Sequence, residues 1–211
     1  MVGTLFLDYG GLIVDYKFNK KTLFRAHSLV KDYLNNLGHS ITIRKLNSAH
    51  ESAIQSYLGA RESNGCEWPM KKIIGLVLDK LCEYDDAMLE RVSELYKLHD
   101  HDVELKHGAT ALPELAKRHK LGIISNLPHD SLIYELRRFD LLDLFKTITM
   151  SHQAGFRKPH RKIYEFALKK AKARPSESLF ASHEQAELDG AATVGMRTML
   201  TDNLEKLLEI E

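Results

Sequence analysis

The sequence has little of several features that would mark a specialised class of protein. Its 211 residues include only 2 cysteines, Cys66 and Cys82, which are too few and too isolated for a disulfide framework or a zinc site. The 30 basic residues balance 29 acidic ones, which gives a formal charge of +1. A protein that binds a phosphate backbone needs a basic surface, so nucleic acid is not an expected partner.

Long apolar segments are also missing. No run reaches about 18 consecutive apolar residues, the length that a membrane-spanning helix requires. The N-terminal sequence MVGTLFLDYG has no basic region before its short apolar run, which argues against a secretory signal. We therefore expect no membrane partner, a cytoplasmic location and two cysteines kept as thiols.

The apolar residues that are present divide the chain into two kinds of region. Residues 4–8 (TLFLD) form a predicted strand stopped by Gly10 and Gly11, and residues from about 20 to 99 have apolar positions at helical spacing. Beyond His107 and Gly108, helices and strands alternate. The predicted helices are 109–119, 129–138, 160–173 and 184–194, and the predicted strands are 121–125, 146–150, 178–182 and 197–200. This alternation is typical of a parallel sheet covered on both faces.

The predicted fold is thus α/β. Residues 1–14 and 103–211 are expected to form a Rossmann-like, three-layer core with a parallel sheet, and residues 15–102 a helical cap domain inserted after the first strand. The segment His99-Asp100-His101-Asp102 lies where the chain returns to the core. It is interpreted as a solvated hinge, with a metal site as the alternative.

Reactive side chains follow several predicted strands. Ligands of parallel sheets bind beyond the carboxyl ends of the strands, so these residues are the candidate site. They are Asp8 with Gly10 and Gly11, the pair Ser125-Asn126, Lys158 within an Arg-Lys-Pro segment, and the residues from Ser182 to Glu187. A carboxylate, a hydroxyl beside an amide, an ammonium and a second carboxylate are the parts of a nucleophilic hydrolase site.

Four segments resemble, in order, the four motifs of the haloacid dehalogenase superfamily. They read LFLDYGGLIVD, GIISN, GFRKPHRKIYEFAL and LFASHEQAELDGAATVGMRTML. The likeness extends over about residues 103–200, and the sequence is identified as a member of this superfamily. The helical insert is similar to the family's cap in position and helicity, which implies a cap that closes over Asp8.

The resemblance implies a role for each matched residue. Asp8 would attack phosphorus or carbon and form a covalent intermediate that water hydrolyses, since a carboxylate attacks without losing a proton. Ser125 would donate its hydroxyl to the transferred group, and Lys158 would orient Asp8 and offset negative charge. The remaining expected site residues are Glu187, as a catalytic group, and Gly10, Gly11, Asn126 and Ser182, which would bind substrate.

Two motifs depart from the family's phosphatase pattern. Gly10 stands where those enzymes carry a second aspartate, so general acid–base help of typically about 10²–10⁴-fold would be missing, with Asp15 only a remote substitute. In the fourth motif the two acidic positions are Ser182 and Glu187. Asp8, the Gly10 carbonyl and Glu187 would then hold magnesium weakly, if at all.

Three functions stay open. The favoured one is a hydrolase with an aspartate nucleophile that acts on a small phosphorylated or otherwise activated metabolite, with weak or absent magnesium dependence. A non-catalytic binding or regulatory protein is the second. The third is a metal-free 2-haloacid dehalogenase, a group that shares the serine matched by Ser182 but has tyrosine and threonine where Gly10 and Leu12 stand.

The cap gives little information on specificity. Arg44 and Arg61 lie in it without the context expected of a carboxylate-binding arginine. Trp68 and residues 57–59 are candidates to line the cleft, with burial in the cap interior as the alternative. No catalytic role is assigned to any of the 11 histidines.

Overall fold

The computed structural model describes residues 2–210, with the side chain of Asn64 excepted. Its chain divides into two compact units, Met1–Tyr16 with Val103–Glu211 and Lys17–Asp102. The strands in chain order are β1 (Thr4–Leu7), β2 (Val14–Lys17), β3 (Asp102–Leu105), β4 (Lys120–Ser125), β5 (Phe145–Met150), β6 (Ser178–Ser182) and β7 (Arg197–Leu200). That the first unit is a catalytic core and the second its cap stays a prediction.

The helices begin with four in the second unit and continue with five in the first. They are α1 (Lys20–Asn36), α2 (Ile43–Asn64), α3 (Met70–Leu78), α4 (Asp86–His99), α5 (Leu112–Arg118), α6 (Ser131–Arg138), α7 (Ser151–Ala154), α8 (Arg161–Ala171) and α9 (Gln185–Ala192). Among the described residues, none of the helices is long and apolar enough to cross a membrane.

The first unit is organised around a five-stranded sheet with the order β5-β4-β1-β6-β7. Its neighbouring strands pair in parallel, as predicted from the alternation of strands and helices. Successive residues of β1 face opposite sides: Leu5 and Leu7 join one apolar cluster, whereas Phe6 joins another with Ile163 and Phe180. Helices and loops cover both faces, which confirms the α/β class and explains why β1 is buried throughout.

The position of β1 decides where the candidate site lies. β1 is the middle strand, between β4 and β6, although it is separated from both by long stretches of sequence. The carboxyl ends of these three parallel strands therefore meet at one edge. Asp8, Ser125 and Ser182 stand at that edge, since they directly follow or end β1, β4 and β6.

Two short features differ from the prediction. β2 and β3 form a separate two-stranded sheet where no strand was expected, because their sequences VDYK and DVEL each contain two charged residues and lack the continuous apolar run of β1. The expected helix 109–119 is a 3₁₀ turn at His107–Ala111 followed by α5. Pro113 lies in the first turn of α5, where its missing N–H is tolerated, so the α-helix begins there.

The second unit consists of α1 to α4, in the region where helical spacing was found. Its interior is formed by apolar residues such as Val30, Leu46 and Val77. Tyr57 and Trp68 belong to this packing: their ring centroids are 6.1 Å apart, and the Tyr57 hydroxyl donates to Glu67 Oε1 at 2.5 Å. Both side chains therefore have structural partners within the helical unit, the alternative considered from the sequence.

The polar segment at the end of α4 is engaged by protein side chains. Asp100 Oδ1 lies 2.6 Å from His101 Nδ1, and Arg25 pairs with Asp102 at 2.8 Å. Arg25 also donates to the carbonyls of His99 and His101 at 2.9 and 2.8 Å. These contacts fix the segment to α1, and residues 2–210 contain no group of three or more metal-ligating side chains, here or elsewhere.

A cluster of two histidines and a tyrosine lies between α1, α2 and α4, with His27 and Tyr96 buried and His50 half-buried. The ring of His50 stacks on Tyr96, with centroids 5.2 Å apart and planes at 8°, and it meets the edge of His27 at 4.9 Å. His27 Nδ1 lies 2.5 Å from Asn47 Oδ1. Burial lowers the pKa of His50 to about 4, with the nearby His27 acting in the same direction and Asp100 opposing it.

We predict that this cluster destabilises the helical unit in mild acid. Because the pKa of His50 is about 4 in the folded protein and about 6.5 unfolded, the unfolded chain takes up more protons as the pH falls through this interval. From pH 7 to pH 5 the wild type should lose about 2 kcal/mol of stability that a His50→Gln variant does not lose. Urea unfolding followed by Trp68 fluorescence at both pH values measures this difference. His39→Gln, in the same unit, is the control, and equal pH dependence of all three proteins would contradict the prediction.

Candidate active site at the carboxyl edge of the sheet

Asp8 is buried immediately after the central strand. Its backbone N–H donates to the carbonyl of Ala181 at 2.9 Å, which continues the pairing with β6 and fixes the residue at the sheet edge. The side-chain oxygen Oδ1 accepts from the N–H of Tyr9 at 2.8 Å and from Lys158 Nζ at 2.5 Å. The carboxylate is therefore held by two donors on one oxygen.

Lys158 lies between two carboxylates. Its Nζ is 2.5 Å from Asp8 Oδ1 and 2.8 Å from Glu187 Oε2, and 1% of its side chain is exposed. Close packing of α9 makes this possible: a Cβ at Gly190 would lie 2.2 Å from the carbonyl oxygen of Pro159. Glycine at this position lets α9 approach the Lys158–Pro159 segment, so Glu187 on α9 reaches the ammonium.

Two neutral side chains complete the binding of Glu187. Ser182 Oγ donates to Glu187 Oε2 at 2.8 Å, and Asn126 Nδ2 donates to Oε1 at 3.3 Å. Asn126 also fixes the lysine segment, since its Oδ1 accepts from the backbone N–H of Lys158 at 2.7 Å and its Nδ2 donates to the Lys158 carbonyl at 3.2 Å. The structure thus brings together five of the predicted site residues: Asp8, Asn126, Lys158, Ser182 and Glu187.

The charges of this cluster change the proton affinities of its members. Burial by itself raises the pKa of Asp8, but the Lys158 ammonium and the nearby His183 outweigh it and leave that pKa below its usual value. Burial lowers the pKa of Lys158, yet the two carboxylates raise it above the ordinary range. Burial and the Asp8 charge raise the pKa of Glu187. The Lys158 ammonium lowers it, but only enough to offset part of that rise. The pKa values of the two carboxyls therefore shift in opposite directions, and Asp8, the closer of the two to Lys158, is the stronger acid.

The other predicted residues lie on the loops around this cluster. Ser125 ends β4 and is buried. Gly11 has a φ of +79°, a conformation that favours glycine, and its N–H donates to the Val14 carbonyl at 2.7 Å to close a tight turn after Gly10. Asp15 lies 3.9 Å from Lys106 with its side chain 58% exposed.

One histidine beside Asp8 was not predicted. His183 Nδ1 lies 3.4 Å from Asp8 Oδ2, and the ring packs against the Cα of Gly11, where a Cβ would come within 2.3 Å. The interaction with Asp8 raises the pKa of His183, and Glu184 and Glu187 add to this while partial burial opposes it. The sequence signal was available, since His183 directly follows Ser182 in the fourth motif.

A buried carboxylate that supports the loop after β1 was also missed. Glu135 on α6 accepts from the hydroxyls of Tyr9 at 2.9 Å and Tyr16 at 2.7 Å. Tyr9 is the residue whose N–H binds Asp8, so Glu135 fixes the loop on which the Asp8 side chain depends. Nothing in the sequence around Glu135 distinguishes it from an ordinary residue of an amphipathic helix.

The donor set does not fit magnesium. Magnesium prefers an octahedral shell of hard oxygen ligands, often carboxylates. Here both oxygens of Glu187 accept hydrogen bonds or an ion pair from Lys158, Ser182 and Asn126, and a neutral Ser182 replaces one carboxylate. No chemical step below is therefore assigned to a metal, and the predicted weak or absent magnesium dependence remains a prediction.

Residues 33–201 match the model of the family described as haloacid dehalogenase-like hydrolase. The match covers most of the chain, and the protein belongs to this family. A glyceraldehyde 3-phosphate phosphatase from Methanothermobacter thermautotrophicus is 27% identical over 96 residues, which are 45% of this chain and 42% of that protein. The chain thus spans less than half the length of this curated relative.

Solved structures agree on the fold. A 2-haloacid dehalogenase from Pseudomonas syringae pv. Tomato DC3000 has a TM-score of 0.70 at 18% identity, covering 99% of this chain and 97% of that one. A HAD phosphatase from Thermococcus onnurineus has a TM-score of 0.61 at 20% identity, covering 100% and 97%. At such identities the likeness establishes the shared architecture.

We predict that Lys158→Met destabilises the protein strongly. Removing the ammonium leaves two buried carboxylates without their countercharge, a change that costs about 3–5 kcal/mol. Urea unfolding at pH 7 measures the loss. Adding Glu187→Gln should recover part of the stability, because one of the opposed charges is then gone, whereas Lys169→Met on the exposed face of α8 should stay within about 0.5 kcal/mol of wild type. A Lys158→Met protein as stable as that control would refute the importance of the ion cluster.

Proposed function

We propose that the protein is a hydrolase whose nucleophile is Asp8, acting on a small phosphorylated or otherwise activated metabolite with weak or absent magnesium dependence. The observation that carries the proposal is the bridging position of Lys158 between Asp8 and Glu187. This ammonium keeps Asp8 ionised in a buried site, which is the state a nucleophile needs. Because Oδ1 is held by Tyr9 and Lys158, Oδ2 is the oxygen assigned to attack.

The reaction on a phosphate ester has two steps. In the first, Asp8 Oδ2 bonds to phosphorus while the bond to the leaving oxygen breaks, and the released alkoxide takes a proton from water. In the second, water attacks phosphorus, the bond to Asp8 breaks, and phosphate and a proton are released. The Ser125 hydroxyl and the backbone N–H of Asn126 are assigned as hydrogen-bond donors to the oxygens of the transferred group. Lys158 offsets the negative charge of these oxygens.

The chemistry of Gly10 sets a preference among substrates. Without a carboxylic acid at this position, no side chain is assigned to protonate the leaving oxygen. A leaving group that departs as a stable anion needs little help of this kind. We therefore expect aryl phosphates to be hydrolysed faster than alkyl phosphates.

We expect the wild type to hydrolyse an aryl phosphate slowly, and Asp8→Asn to lose this activity because the amide cannot form the intermediate. Turnover in chelator should stay within about threefold of turnover with added magnesium, since Glu187 is already occupied by Lys158, Ser182 and Asn126. Release of the aryl alcohol measures the rate. A large stimulation by magnesium that Asp8→Asn abolishes would establish an ordinary metal-dependent phosphatase instead.

A second candidate, the metal-free 2-haloacid dehalogenase, is favoured by the same two differences from the phosphatase motifs, Gly10 and Ser182. A halide leaves as an anion without needing a proton, so the absence of an acid at Gly10 has no cost for this reaction. Asp8 Oδ2 would bond to carbon as the carbon–halogen bond breaks. Water placed by Glu187 and Ser182 would then attack the carbonyl carbon of the Asp8 ester. The bond from that carbon to Oδ2 would break, and a 2-hydroxy acid and a proton would be released.

This candidate predicts halide release from 2-chloropropionate in chelator, abolished by Asp8→Asn. Ion chromatography of free chloride measures it for both enantiomers, and the brominated acid serves as a more reactive probe. No release from any of these acids would exclude the dehalogenase. If aryl phosphates were also stable, the non-catalytic alternative, a binding or regulatory protein with the family's fold, would be favoured.

A further inference from the structure

We propose that His183 contacts the substrate and donates a hydrogen bond to the transferred phosphoryl group. This inference rests on the proposed function in taking Asp8 Oδ2 as the attacking oxygen. The residue stands outside the set that the family resemblance assigns, and the geometry alone draws attention to it.

The first observation is the position of the ring relative to the two oxygens of Asp8. Oδ1 is occupied by Tyr9 and Lys158, whereas Oδ2 faces His183 Nδ1 at 3.4 Å. That distance is long for a hydrogen bond, so the ring is close to the carboxylate without being locked onto it. A phosphoryl group bonded to Oδ2 would bring its own oxygens within reach of the same nitrogen.

The second observation is that the loop is shaped to admit the ring. The ring lies against the Cα of Gly11, and a Cβ there would come within 2.3 Å of it. Gly11 thus leaves a place beside Asp8 that His183 fills from the loop after β6.

The third observation concerns exposure and hydrogen-bond direction. About a third of the His183 side chain (35%) is exposed, whereas Lys158 is 1% exposed, so the histidine is the accessible member of the pair. Its Nδ1 faces Asp8 and its Nε2 faces Glu184 Oε1 at 3.6 Å. Carboxylates accept and do not donate, so the ring is oriented to act as a donor. An oxyanion with several acceptor oxygens, such as a phosphate ester, is the ligand that suits such a donor beside Lys158.

Phosphate binding to an inactive protein tests this role without requiring turnover. In the Asp8→Asn background, where repulsion from the nucleophile is removed, inorganic phosphate is titrated into the protein by calorimetry. Adding His183→Ala should weaken binding by about 10- to 100-fold, the usual effect of losing a hydrogen bond to a charged group. Adding His183→Gln, which keeps an N–H donor, should recover part of the affinity. His107→Ala, an exposed histidine of the same unit, is the matched control and should leave binding unchanged.

The outcomes separate the two proposals. Phosphate affinities that agree within twofold with and without His183, or no phosphate binding by Asp8→Asn at all, would overturn the role of His183. In the wild-type background, where Asp8 is intact, the single substitution His183→Ala should lower kcat/KM for an aryl phosphate. The unfolding midpoint should stay that of wild type. An inactive wild type whose phosphate binding still depends on His183 would reject the hydrolase function and leave the contact established.

Discussion

The first unit depends on one buried ammonium that must neutralise two buried carboxylates. Charges removed from water are stable only when they are paired and their remaining hydrogen-bonding capacity is satisfied. Lys158 Nζ lies within 2.8 Å of both Asp8 Oδ1 and Glu187 Oε2. Asn126 and Ser182 donate further hydrogen bonds to the Glu187 carboxylate. The segments after four neighbouring strands, β5, β4, β1 and β6, are thereby fixed to one another. This arrangement binds Oδ1 of Asp8 to two donors and leaves Oδ2 facing His183.

The departures from the family's usual motifs act together on this cluster. Glycine at position 10 and serine at position 182 remove two carboxylates, so the lysine balances two negative charges in a site without a fitting magnesium shell. His183 adds a donor where negative charge has been removed. The two proposed reactions are those in which the leaving group needs neither a metal nor a proton donor, and they differ in the atom that Asp8 would attack.

The Asp8 carboxylate is supported by buried groups behind it as well as by the cluster around it. The N–H of Tyr9 donates to Asp8, and the hydroxyl of Tyr9 donates to Glu135, which also accepts from Tyr16. The loop after β1 is therefore fixed at both the backbone and the side chain of Tyr9. Preorganisation of this kind keeps a carboxylate oriented without a contribution from the substrate.

The sequence by itself determined the α/β class and the family, and it predicted Asp8, Lys158 and Glu187 as the charged groups of the site. Periodicity and the residues after each strand are local properties, and both can be read along the chain. Only the tertiary structure decided that His183 lies beside Asp8 and that Glu135 supports Tyr9, because these contacts join residues 175 and 126 positions apart. The short strands β2 and β3 likewise exist through their mutual pairing, which joins segments far apart in the sequence. Local sequence motifs therefore predicted the charged residues of the site, whereas the packing of distant segments decided which side chains contact each of them.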